Sequence, residues 1–241
     1  MLITIDTETT GMRDDDEIVE IAAVRGERDF GTSLVKPEAR PISYGAMATH
    51  HITQEMTEDH GLRLADALRL IGLDLVAPTD VLVMHNAEYD RKYLPSYLRE
   101  LSFICTYRCA LHLFPDAESH SNGALWYELG LTREMPPEAG SMPHRALFDA
   151  LMTHDILQHM LDVVYDDISA GLTDTGQLPQ PWECIDRLVE MTASPVLLKK
   201  IRFGKHAGSL FSEVPVDYLQ WCLRQDFDAD VMHTCRHWVN K

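Results

Sequence analysis

The chain has 241 residues, 45% hydrophobic and 24% charged, the balance of an ordinary globular protein of one or two domains. No run approaches the roughly 18 consecutive apolar residues of a membrane-spanning helix, and the opening MLITIDTETT has neither a basic region nor a cleavage-site pattern. Membrane and secreted classes are therefore set aside in favour of a cytoplasmic protein, and 21 Lys and Arg against 38 Asp and Glu give a formal charge of −17, so a phosphate-rich partner must be drawn by local features.

In chain order, residues 2–6 alternate and are β-branched, which predicts a strand. Gly11 and the acidic run Asp14 to Glu17 make a turn before further strands over 18–25 and 30–36, the last closed by Pro37. Leu64, Leu68, Ile71 and Leu75 recur at helical spacing and predict a helix over 62–76. The short apolar run 81–85 predicts a buried strand, followed by a helix over 88–101 and a strand over 103–106. Helices are expected over 107–114 and 121–129, a loop over 135–143, and a long amphipathic helix over 145–164 with Leu147, Leu151, Leu157 and Leu161 on its apolar positions.

Strands followed by alternating helices and strands imply an α/β fold, a mixed sheet with helices on its faces. Residues 166–181, rich in Gly, Pro, Asp and Thr and without periodicity, are the expected linker. They separate a main domain, 1–165, from a small C-terminal unit, 182–241. Five cysteines, at 105, 109, 184, 222 and 235, form no CxxC pair and fit free thiols in a reducing compartment; Cys235 and His237 lack a second ligand pair at zinc spacing.

Asp6 and Glu8 stand two residues apart at the end of the first strand, so both carboxylates project to one side. Their mutual repulsion is costly unless a cation neutralises it, and hard divalent ions such as Mg²⁺ favour such oxygen ligands. A plain acidic strand end is the competing account. Asp90 follows the buried strand and the segment His85-Asn86-Ala87, near a helix start where the helix dipole favours a carboxylate. Asp149 lies about one turn into the long helix among Ala146, Leu147, Phe148, Ala150 and Leu151, and an acid in that company needs a partner or a metal. His144 precedes that helix; a capping or surface histidine is its plainer reading, twelve being scattered along the chain. Together these residues describe a two-metal phosphodiesterase, with metals roughly 3.5–4 Å apart. A neutral histidine of ordinary pKa, about 6.5, would take the proton of the attacking water.

Asp6-Thr7-Glu8-Thr9-Thr10-Gly11, His85-Asn86-Ala87-Glu88-Tyr89-Asp90 and His144-Arg145-Ala146-Leu147-Phe148-Asp149-Ala150 resemble, in order and rough spacing, the three exonuclease motifs of the DEDD superfamily in its histidine-bearing DEDDh form. The resemblance implies a ribonuclease-H-like fold and 3′–5′ exonuclease activity that releases nucleoside 5′-monophosphates. It also implies two Mg²⁺ or Mn²⁺ ions held by Asp6, Glu8, Asp90 and Asp149, with His144 as general base. By the same analogy Thr7, Thr9, Gly11, His85 and Asn86 lie against the terminal nucleotide, Met12 adds a wedge-like apolar contact, and Glu20 is supporting rather than catalytic. Residues 39–43, 46–53 and 121–122, with 203–208 and 218–221, resemble the exodeoxyribonuclease X branch of that family. The branch implies DNA 3′ ends, single- or double-stranded, as partner, and a repair role. The acidic run Asp14 to Glu17 departs from the pattern and puts substrate affinity in question.

Residues 196–208 hold Lys199, Lys200, Arg202 and Lys205 and no acid, a concentration suited to sequence-independent phosphate contacts. Phe203 suits stacking on a base, and the alternative is a solvated hairpin that packs through Phe203 and Trp221. Leu219, Trp221 and Leu223 are expected in the small unit's core. The rival activity is a 3′–5′ exoribonuclease, since the motifs act on the phosphodiester and not on the sugar. A non-catalytic binding module and an acidic metal-binding protein are the rivals from other classes.

Overall fold

The computed structural model describes residues 1–140, 142–172 and 178–241; Ser141 and residues 173–177, the middle of the expected linker, lie outside the described residues. Five strands, Leu2–Thr9 (β1), Ile18–Gly26 (β2), Asp29–Leu34 (β3), Val81–Met84 (β4) and Ser102–Cys105 (β5), form one mixed sheet in the order β3-β2-β1-β4-β5. The first three are antiparallel neighbours, whereas β4 runs parallel to β1 and β5 parallel to β4. Pairing of β1 with β4 stops at Thr4 opposite Val83, while pairing with β2 continues to Thr9. The end of the central strand that carries Asp6 and Glu8 therefore has an open edge.

Between β3 and β4 lie three short helices, Tyr44–His50 (α1), Gln54–His60 (α2) and Leu64–Leu70 (α3). The first two were not expected from periodicity; Ser43 and Thr53 cap them, accepting from the backbone N–H of Ala46 and Met56. The third stops at Leu70, short of the expected 76, and Leu75 is exposed. The helix expected over 88–101 is two, Ala87–Arg91 (α4) and Ser96–Arg99 (α5), because Pro95 lacks the N–H that a continuous helix would need.

Beyond β5 come Thr106–Leu113 (α6), Asn122–Glu128 (α7) and Ala146–Gly171 (α8). Ile3, Ile5, Ile21, Leu82 and Met84 meet Leu68, Ile71, Leu94 and Leu98 on one side of the sheet. On the other, Leu147 and Leu151 of α8 pack on Ala22 and Val24, and Ile156, Leu157 and Met160 join the cluster of Val83 and Ile104. Each such side chain, fully buried, contributes about 1.5–3 kcal/mol.

Two expected boundaries change. Helix α8 extends to Gly171, so residues 166–171 are helical and not linker. Helix Pro181–Ala193 (α9), expected in the small unit, buries Cys184 and Leu188 in the main core, and Thr192 Oγ1 accepts the N–H of Cys105 at 2.9 Å. Past it, Val216–Cys222 (α10) and Ala229–Val239 (α11) close a separate small core of Ile201, Phe211, Leu219, Cys222, Val231 and Cys235. Leu223 is partly buried there, whereas Trp221, expected in this core, is 41% exposed with its ring 5.2 Å from that of Tyr218. Among the described residues no helix is long and apolar enough to cross a membrane.

Candidate active site

The sheet edge left open beyond Thr4 is filled by α4. Asp90 there is buried, and its Oδ1 accepts from the Thr7 backbone N–H at 3.0 Å and from Thr7 Oγ1 at 2.7 Å. These bonds take the place of the missing ladder and bring the second motif onto the first. On the other side α8 begins beside β2, and its first turn carries Asp149. Carboxylate oxygens of Asp6, Glu8 and Asp149 lie within 4.8 Å of one another. Two elements far apart in the chain, β1 and α8, thus converge on one point, and α4 fastens Asp90 to β1 through Thr7.

The electrostatics of this cluster are unfavourable without a cation. Burial, then the charges of Asp90, Asp149 and Glu8, push the Asp6 carboxyl well above its ordinary range. Burial and then Asp149 raise Glu8 to about 8. Burial raises Asp90 to about 7 against the two opposing bonds from Thr7, and burial likewise raises Asp149. Arg145 opposes the rise of Glu8, but its guanidinium is already held by Glu20 through Nε at 3.0 Å and Nη2 at 2.6 Å. A compact set of carboxylate oxygens whose charges repel in a partly desolvated pocket is a donor set for hard divalent cations.

His144 stands at the entrance to α8, exposed, with φ of 62°, a left-handed conformation uncommon outside glycine. Its backbone N–H donates to Asp149 Oδ2 at 3.1 Å, which ties the histidine loop to the cluster. Glu20 anchors the same junction, accepting the Ala146 N–H at 2.9 Å as well as Arg145.

The other residues singled out from the sequence divide. Gly11 and Met12 lie on the loop after β1, with Met12 81% exposed; a Cβ at Gly11 would come within 2.6 Å of Asp16 Oδ2. Asn86 is exposed in a left-handed conformation at the start of α4. Thr7 is committed to Asp90, and Thr9 Oγ1 donates to the Gly11 carbonyl at 2.6 Å and meets Tyr89 Oη at 2.6 Å. Both threonines shape the site from within. His85, expected against the nucleotide, has both ring nitrogens engaged inside the protein: Nε2 donates to the His120 carbonyl and Nδ1 accepts from Thr106 Oγ1, each at 2.9 Å. Burial pulls its pKa down to about 4, so the ring is neutral and braces the loop.

The acidic run after the first motif is also spoken for. Asp14 faces Lys92 at 3.7 Å and Asp15 pairs with Arg40. Asp16 accepts from Thr10 Oγ1 and the Arg13 N–H, and Glu17 accepts the N–H groups of Glu38, Ala39 and Arg40. Asp16 and Glu17 thereby brace the loop, whereas Asp14 and Asp15 stay largely exposed beside their cationic partners.

Three contributors lie in segments quoted from the sequence but were given no role there. Tyr89 fastens the loop after β1, Arg145 links Glu20 to the histidine loop, and Asn122 Nδ2 donates to the Asp149 carbonyl at 3.1 Å. Tyr89 and Arg145 lie inside recognised motifs, so adjacency was the available signal.

The exonuclease family model (RNase_T) matches residues 3–157, well over half of the chain. The chain belongs to the exonuclease family. It is 31% identical over 252 aligned positions to exodeoxyribonuclease 10 of Escherichia coli strain K12, covering 99% of both proteins. Among solved structures it is similar to exonuclease X in complex with 5′ overhanging duplex DNA, at 31% identity and a TM-score of 0.59, covering 80% of this chain and 100% of that one. The nuclease domain of 3′hExo, a DEDDh family member bound to rAMP, shares the fold at 17% identity and a TM-score of 0.52, covering 67% and 91% of the two chains. The mixed sheet flanked by helices is thus the ribonuclease-H-like fold of this exonuclease's relatives.

Proposed function

We propose that this exonuclease hydrolyses DNA from the 3′ end with the help of two divalent cations, Mg²⁺ or Mn²⁺, and releases nucleoside 5′-monophosphates. The observation that carries the reading is the convergence of Asp6, Glu8 and Asp149, with Asp90 fastened beside them through Thr7. The relatives' names and the DNA in the exonuclease X complex support DNA over RNA as substrate.

In this reading Asp6, Glu8, Asp90 and Asp149 hold the cations. When bound, these supply charge stabilisation for the attacking and leaving oxygens of an in-line displacement. Thr7 keeps Asp90 aimed at the cluster, and Asn122 and the His144 N–H steady Asp149. His144, exposed on its short loop, takes the proton of the attacking water. Asn86 and the loop of Gly11 and Met12 border the terminal nucleotide, where Met12 offers its exposed thioether to the face of a base. A role in DNA repair and a cytoplasmic location complete the proposal; five buried free thiols fit a reducing compartment.

The test is digestion of matched 3′- and 5′-labelled DNA and RNA oligonucleotides with Mg²⁺ and with EDTA. Metal-dependent mononucleotide release from DNA 3′ ends is the expected result. Preferential trimming of RNA would move the enzyme to the ribonuclease side of the family. No cleavage of either polymer would sink the catalytic reading.

A further inference from the structure

A groove of about 790 Å³ lies between the main domain and the C-terminal unit. Its near wall is the segment between α6 and α7, from Pro115 to Ser121. That wall is continuous with the site: Asn122, next in the chain, donates to the Asp149 carbonyl, and the carbonyl of His120 holds His85. The far wall comes from the C-terminal unit, residues 196–202 with Ala207 and Gly208. The main domain and the small unit therefore face each other across a groove whose near wall adjoins, through Asn122, the helix that carries Asp149.

The far wall is held by its own backbone hydrogen bonds. Ile201 N–H donates to the Ser209 carbonyl at 3.0 Å, Gly208 N–H to the Ile201 carbonyl at 2.8 Å, and Phe211 N–H to the Lys199 carbonyl at 3.0 Å. It is also tied to the near side. Arg108 on α6 pairs with Asp230 on α11 and donates to the Ser194 carbonyl, and Asp230 in turn accepts the Val196 N–H at 2.8 Å. The two walls are preorganised, so a bound strand has little ordering to induce.

Charge indicates the occupant. Lys199, Lys200 and Arg202 line the groove against two carboxylates, Asp116 and Glu118, which reverses locally the sign of a chain carrying −17. Lys199 pairs with Asp116, but with both side chains more than half exposed that pair is weak and exchanges readily for a phosphate. Gly208, with φ of 90°, has open space where a Cβ would sit, so no side chain narrows the groove there. The remaining members of the basic segment do other work. Phe203 stacks on Phe227 with ring centres 4.3 Å apart, and Lys205 Nζ lies 5.2 Å from the centre of the Tyr218 ring.

We infer that this groove carries the sugar-phosphate backbone of the DNA strand on the 5′ side of the terminal nucleotide, gripped by Lys199, Lys200 and Arg202. The inference rests on the exonuclease reading of the neighbouring cluster and extends it to a second contact region that gives the enzyme preference for longer strands.

The experiment compares KM and kcat on single-stranded DNA from dinucleotide to 20-mer for the unmodified protein and for K199A/K200A/R202A. In the unmodified protein KM falls as the strand grows long enough to enter the groove. In the triple variant that length dependence disappears: KM for the 20-mer rises about tenfold, kcat changes less than about twofold, and the salt slope of binding drops by about 2, near 0.7 per lost contact. Asp116→Asn, which releases Lys199, lowers KM for the 20-mer up to about fivefold, an effect that misfolding does not mimic. Equal length dependence in unmodified protein and triple variant, or a kcat loss shared by all lengths, overturns the proposal. Were no cleavage found, anisotropy of a fluorescent 20-mer would still decide. Salt-sensitive binding lost in the triple variant supports the groove even as the catalytic reading fails, and unchanged binding overturns it.

Discussion

Glu20 grips Arg145 through two nitrogens and, with the same carboxylate, caps the N–H of Ala146. One buried acid on β2 thereby sets where α8 begins, how the His144 loop enters it, and where Asp149 in its first turn points. Glu20→Ala leaves Arg145 unpaired and the helix start uncapped. The expected cost is about 3 kcal/mol, with kcat reduced at least about tenfold, read by denaturant melts and initial rates. Glu20→Gln, which keeps the acceptor, loses less on both measures.

Neutralising the cluster should separate stability from activity. Asp6→Asn and Asp149→Asn each remove one of several repelling charges from a partly buried site. In EDTA both variants should melt about 2–4 °C higher, about 1 kcal/mol for a chain of this size, while metal-dependent cleavage is abolished. Cleavage at the unmodified rate by Asp6→Asn would remove that carboxylate from the mechanism.

The same cluster makes the metal-free protein sensitive to pH. Glu8 titrates at about 8 instead of 4.5 and Asp90 at about 7 instead of 3.8. Acids whose pKa is raised by folding bind protons more tightly in the native state. Their favourable contribution is present below the unfolded values and is lost as pH climbs through 7 to 8. In EDTA the melting temperature should fall between about pH 5.5 and about pH 8.5, and the gain on adding Mg²⁺ should be larger at the upper value. Differential scanning calorimetry at both values checks this; a metal gain independent of pH argues against ligation by these carboxylates.

His144 invites a paired substitution. His144→Ala is expected to lower kcat by roughly 10²–10⁴ if the imidazole is the base. Its backbone sits at φ of 62°, so His144→Gly should lose activity to the same extent while remaining at least as stable as the alanine variant. Thermal melts beside single-turnover rates distinguish loss of the imidazole from loss of loop geometry.

Arg108 and Asp230 join the C-terminal unit to the main domain through a half-buried ion pair supported by the Ser194 carbonyl and the Val196 N–H. Asp230→Ala strands Arg108 and releases that N–H, for an expected loss of about 1–3 kcal/mol. Limited proteolysis should then cut faster near residues 194–200, and unchanged cutting rates would show that the interface is held elsewhere.

Where local chemistry carries the signal, the sequence was readable. The strands stand out because β-branched runs such as Ile-Thr-Ile suit a pleated, half-buried surface, and the three motifs stand out because few residue types serve phosphodiester chemistry. Helices α1 and α2 were missed because seven residues span only about two turns, too few for an apolar period; Ser43 and Thr53 were their only marks. The extent of α8 and the membership of α9 in the main core depend on distant partners, Cys105 among them, that no local window contains.

The amino-acid sequence by itself determined the chemistry on offer: which residues carry carboxylate, imidazole and cation, and in what order. Only the tertiary structure decided which of those groups remain free to act. Asp149 meets Asp6 and Glu8 because Glu20 on β2 caps the start of α8 at Ala146, and Asp90 joins them because the pairing of β1 with β4 ends at Thr4. His85 and Phe203 resemble contact residues in one dimension and are consumed by internal partners in three. A polar side chain satisfies its hydrogen bonds with whatever neighbour the fold brings near, and that neighbour is set by packing across the whole chain.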